Sequence, residues 1–162
     1  MKIASLVMAA LQLAAVPALA ADDLMVERLV TCQDSWLDWK NDNAPQLQTF
    51  GEHFQADFTR NESDGYFVPK SQDTIAGLRV TRVFPESVGM GVGFSVFVDA
   101  PFDEARKRFE QALGKPLEKC EVSDGMRACE LDIAEKRTFT LMAGDSAKDM
   151  TTLAGCYYFY EK

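Results

Sequence analysis

Four cysteines, a single histidine and 25 acidic side chains are the residues through which this chain could do chemistry. The densest group is KCEVSDGMRACE, residues 119–130, where Cys120 and Cys129 flank Asp124-Gly125. A dithiol redox site calls for Cys-x-x-Cys at a helix start, where the thiol pKa is depressed, and no such motif is present. A zinc site needs further ligands, and His53 is the one histidine in the chain. Asp-Gly is instead the two-residue turn favoured between antiparallel strands, because both positions tolerate positive φ. That turn sets Ser123 opposite Met126, Val122 opposite Arg127, Glu121 opposite Ala128 and Cys120 opposite Cys129. The last is a non-hydrogen-bonded pair, with Cα atoms about 4.5 Å apart, at the short end of disulfide geometry. Cys120–Cys129 is therefore expected as a structural clasp, which leaves Cys32 for Cys156. The chain-entropy relation gives about 2.7 kcal/mol for the short loop and about 5 kcal/mol for the long one. The same alternation puts Cys120, Val122, Cys129, Leu131 and Ile133 on one face, expected to be buried.

His53 precedes Asp57 by one helical turn, so the two can meet as a base and its orienting carboxylate. An ion pair on a helix surface has the same spacing. None of Ser35, Ser63, Ser71 and Ser95 sits in a nucleophile motif such as G-x-S-x-G. Paired carboxylates hydrolyse glycans without histidine, and Asp99, Asp103 and Glu104 gather near an expected helix start. Helix capping places acidic residues there equally well. No spacing matches a calcium loop, and no catalytic residue, metal ligand or cofactor is assigned.

SVGMGVGF, residues 87–94, carries glycine at 89, 91 and 93 but no lysine, and it leads into a strand where a phosphate loop leads into a helix. A glycine-rich hairpin or bulged strand fits better. Its apolar residues Val88, Met90 and Val92 form, if exposed, a flexible contact surface for another protein. Asn61-Glu62-Ser63 matches a glycan acceptor in an expected surface turn.

These residues need elements to position them. Residues 1–20 read as a cleaved signal peptide of the bacterial kind, with a lysine, an apolar run from Ile3 to Val16, and an A-x-A site ending at Ala20. Residues 21–162 then form a single periplasmic or secreted α+β domain, in a compartment where an even cysteine count means disulfides. Nothing after the leader is long and apolar enough to span a bilayer. The chain has 17 basic and 25 acidic side chains, and loss of Lys2 takes its net charge from −8 to −9. That balance disfavours nucleic acid and anionic lipid; it suits solubility and a basic partner.

Met25, Leu29, Cys32, Trp36 and Trp39 recur at helical spacing, and Leu47, Phe50, Phe54 and Phe58 do so after Pro45. The two predict an N-terminal helical hairpin. Extended pieces follow at 66–68, at 78–84, where Leu78, Val80 and Phe84 share a side, and at 92–98. A helix over 102–113 ends at Gly114. The Cys120–Cys129 hairpin, 137–143 and 151–160 supply four more strands. The expected order is αα-βββ-α-ββββ, an antiparallel sheet with helices on one face and two disulfides. The function expected from this is non-enzymatic protein binding, of the inhibitor or immunity-protein type, with a basic envelope enzyme or toxin as partner. The alternatives are an envelope hydrolase using carboxylates or His53–Asp57, and a carrier of a small apolar ligand.

Overall fold

The computed structural model describes residues 23–88, 91–144 and 151–159. The expected leader, Gly89 and Met90 lie outside the described residues. Three helical pieces open the chain: α1 (Asp23–Val30), α2 (Trp36–Asn41) and α3 (Pro45–Asp57). Then come β1 (Phe58–Arg60), β2 (Phe67–Pro69), β3 (Thr74–Ile75), β4 (Leu78–Val88) and β5 (Gly91–Asp99). After α4 (Phe102–Leu113) follow β6 (Lys119–Ser123), β7 (Met126–Ala134), β8 (Arg137–Gly144) and β9 (Thr151–Phe159). Every strand pairing is antiparallel, in the order β1-β2-β4-β5-β9-β8-β7-β6, with β3 on β4. The order αα-βββ-α-ββββ is corrected to ααα-βββββ-α-ββββ, with the sheet dominant.

The correction has local causes. The apolar period from Met25 to Trp39 runs straight through Cys32, but Cys32 stands at φ 60° and ends the first helix. Ser35 then starts a second helix, its Oγ accepting a hydrogen bond from the Asp38 amide at 3.1 Å. Phe58, expected on the helical stripe, instead begins β1. The strands β1 and β3 have three and two residues, too few to show an alternation.

The core lies between the sheet and the helices. Phe94, Val96 and Val98 on β5 face the same way as Cys156, Ala154 and Thr152 on β9, their register partners, and all six are buried. Phe50 and Phe54 of α3 meet Phe94, and Phe109 of α4 meets Phe139 of β8. Cys32 reaches Cys156 across this layer, with Cα atoms 5.2 Å apart. Trp39 packs its ring against Phe50, which joins α2 to α3. Gly114 closes α4 in the left-handed region at φ 65°, a conformation glycine adopts without cost.

The Cys120 hairpin has the expected register, with Asp124 and Gly125 at φ 52° and 76°. Cys120 and Cys129 are bonded, Cα atoms 4.0 Å apart. The expected burial of its apolar face is corrected: every residue of β6 is exposed, Val122 by 65%, because β6 is the last strand of the sheet. Only Cys129 of that set is fully buried; Leu131 and Ile133 are half-buried.

Candidate binding face

A bulge in β4 decides what the far side of the sheet carries. Val80 pairs with Val98 and Arg82 with Phe97, so Thr81 is the extra residue. Its hydroxyl donates to the Phe97 carbonyl at 3.1 Å. The bulge puts Val83 into the core, fully buried, and turns Phe84 to the opposite face. The expectation that Phe84 shares the buried side with Leu78 and Val80 is thereby corrected.

On that opposite face Phe84 lies against Phe97 and Tyr66, ring centroids 5.5 Å apart in both cases. The Arg82 guanidinium lies over both neighbours, 5.1 Å from the Tyr66 centroid and 5.6 Å from that of Phe97. Asn61 fixes the Tyr66 hydroxyl with a 2.8 Å bond from its side-chain amide, while its carbonyl oxygen accepts from Ser63. This Asx turn occupies the amide of the expected glycan acceptor. Arg82 is exposed and the three rings are half-buried.

The face continues along the register through Leu153, opposite Phe97, to Met142, opposite Leu153, and then to Ala128 on β7. Its floor is made of small residues: Ser95 and Gly155 pair across β5 and β9, and Thr140 stands beside Gly155. A Cβ on Gly155 would lie 2.5 Å from that of Ser95 and 2.9 Å from the Phe94 carbonyl oxygen, so only glycine fits. The contacts from the helical layer, at Phe94, Phe139, Cys156 and Tyr158, fall on the other side. Beyond Ala128 the face turns acidic at Glu121 and Glu130.

The residues singled out from sequence are dispersed. Val92 pairs with Tyr158 on the helix side and packs against the core, half-buried. Val88 pairs with Gly91 at the end of the β4–β5 hairpin, and Met90 lies outside the described residues. His53 and Asp57 line one crevice with Met25, Phe50 and Phe54, of about 10 Å³, room for about one water. Asp99 pairs with Arg79. Asp103 receives two hydrogen bonds from Arg127, at 2.7 and 3.3 Å. The Arg127 guanidinium holds the Asp103 carboxyl below its ordinary range, opposite to what a general acid needs. Glu110 is also lowered, by the Leu117 backbone amide first and by Arg106 beside it. Ser35 is a helix cap, and Ser95 is buried. Among the described residues no group of three histidine, cysteine or acidic side chains could hold a metal ion. No described helix is long and apolar enough to cross a membrane.

The Tyr66–Arg82–Phe84–Phe97 cluster was missed in the sequence. Its members come from three separate segments, and the bulge reverses the local alternation that would have pointed to it.

Comparison with protein-family models, with curated proteins and with solved structures finds no match.

Proposed function

We propose that the chain is a periplasmic or secreted, non-enzymatic protein that acts by binding another protein through the face of its sheet opposite the described helices. The observation that carries this reading is the cluster of Arg82 with Tyr66, Phe84 and Phe97 on that face. Tyrosine, arginine and other aromatic residues are the side chains enriched in the energetic centres of protein interfaces. Stacking restricts the guanidinium, so less side-chain entropy remains to be lost on association. The two disulfides and the acidic balance are consistent with an oxidising compartment and a basic partner, such as an envelope enzyme or toxin held by an inhibitor or immunity-type protein. Val88, which pairs with Gly91 where β4 meets β5, and Met90, two residues on in the sequence, belong to the proposed contact region, while Val92 packs against the core.

The hydrolase reading draws less support, since the crevice at His53–Asp57 has no room for a substrate and Asp99 and Asp103 at the start of α4 are each paired with an arginine. The carrier reading also draws less. A depression of about 370 Å³ is lined by Lys107, Glu110, Gln111 and Lys115 with Gly114 and Pro116, not by an apolar wall. The test is partner capture by oxidised protein and by Arg82→Glu and Met90→Asp variants. Retention that weakens at high salt and is lost in the variants supports the proposal; retention indifferent to salt and to both substitutions overturns it.

A further inference from the structure

We propose that the open edge of β6 takes an extended, lysine- or arginine-bearing segment of the partner as an added β-strand; this rests on the protein-binding reading above. Among the described residues β6 ends the sheet, with β7 as its one strand neighbour. Cys120 and Val122 are its non-hydrogen-bonded positions against β7, because their partners Cys129 and Arg127 alternate with the paired Glu121–Ala128 and Ser123–Met126. Their backbone groups therefore point away from the sheet. The Cys120 amide is engaged by the Glu118 carbonyl at 3.2 Å. Among the described residues, the Val122 amide and the Val122 and Cys120 carbonyls are left for an incoming chain. Strand addition recognises such main-chain groups, and side chains on alternate positions give it specificity.

Natural edges are guarded by charge, above all by lysine. The single lysine of β6, Lys119, is drawn inward to Asp132 at 2.8 Å. What remains around the edge is negative: Glu118, Glu121 and Glu130 line a depression of about 380 Å³ with Lys119, Cys120 and Ala128. Val122 and Met126, two of the large apolar side chains that stand exposed, belong to the same hairpin, Met126 on the face of Glu121 and Glu130 and Val122 on the opposite one. This sign of charge decides the occupant. A second copy would bring the same carboxylates against these across a strand spacing of about 5 Å, which is repulsive. A strand bearing cations on one side and apolar residues on the other meets Glu121 and Glu130 with the first and Val122 with the second. The Cys120–Cys129 bond holds the hairpin in register while the edge is engaged.

The probe is the blocked heptapeptide Lys-Val-Lys-Val-Lys-Val-Lys, with its Glu-Val counterpart as control, titrated into oxidised ¹⁵N-labelled protein. The lysine peptide is expected to shift the β6 amides and to slow exchange at the Val122 amide at least tenfold at saturation. The glutamate peptide is expected to do neither at the same concentration. Val122→Pro removes the outward amide without touching the β6–β7 bonds, and should weaken binding by roughly fivefold, the loss of one net hydrogen bond. Glu121→Lys, which keeps the backbone intact, should weaken it as well. Equal binding of both peptides, shifts confined to other strands, or an affinity unchanged in both variants would overturn the proposal. If the natural partner is lost on Arg82→Glu but retained at full affinity on Val122→Pro, strand addition falls and the face reading stands.

Discussion

The Tyr158 hydroxyl lies 2.6 Å from the Asp34 carbonyl oxygen and 2.9 Å from that of Leu29. One phenol on the penultimate position of β9 thus ties the sheet to the turn after α1, two residues from the Cys156 end of the disulfide to Cys32. Tyr158 is only 1% exposed, and burial pushes its pKa above the ordinary 10.0, well beyond the working range. Tyr158→Phe leaves two inward carbonyls without this donor, and should cost about 1–3 kcal/mol in urea unfolding. The pH dependence has a definite sign. A folded pKa raised above the unfolded value favours the protonated phenol, so the contribution is full below about pH 10 and declines as pH rises beyond it. The phenylalanine variant should lack this alkaline component.

The two disulfides differ in access, and so in their order of reduction. Cys32 and Cys156 are buried, 1% and 0% exposed, whereas Cys120 is exposed on the edge strand. Exchange requires a thiolate to reach sulfur. Graded reduction followed by alkylation and mass spectrometry should label Cys120 and Cys129 first. Replacing that pair by alanine should cost up to about 2.7 kcal/mol, and replacing Cys32 with Cys156 up to about 5 kcal/mol.

On the acid side, Glu110 accepts from the Leu117 amide and from Arg106, both at 2.9 Å, and fixes the chain between α4 and β6. Its lowered pKa makes the contribution present above the ordinary 4.5 and lost as pH falls through the folded value. Glu110→Gln should therefore cost about 1 kcal/mol near neutrality and progressively less below pH 4.5, as read from unfolding midpoints across pH.

Gly155→Ala should be far more disruptive than its size suggests. The new methyl would lie 2.5 Å from Ser95 Cβ and 2.9 Å from the Phe94 carbonyl oxygen, at the centre of the sheet. Relief requires β5 and β9 to separate. A loss of about 3 kcal/mol is expected, measured by thermal or urea unfolding, and Ser95→Gly in the same chain should recover part of it.

Turn chemistry and period-two alternation made the Cys120 hairpin readable down to its register, and proline and glycine bounded α3 and α4. Those signals are local. The interruption at Cys32 is not, because a residue at φ 60° bonded to Cys156 stops a helix whose apolar period continues past it. Nor does alternation distinguish an edge strand from a covered one, so Val122 was expected inside and stands outside. The candidate face was the least readable part. Tyr66, just before β2, meets Arg82 of β4 and Phe97 of β5 only once the three segments are placed side by side, and Phe84 reaches them through one extra residue, Thr81.

The most direct test of protein binding through the face opposite the described helices is capture on immobilised, oxidised protein. The wild type is compared with a Phe84→Ala, Phe97→Ala double variant whose fold is verified by amide exchange of the core strands. The account predicts that a protein retained by the wild type at moderate salt is released at high salt and is retained at least tenfold less by the double variant. Equal retention by the two would contradict it.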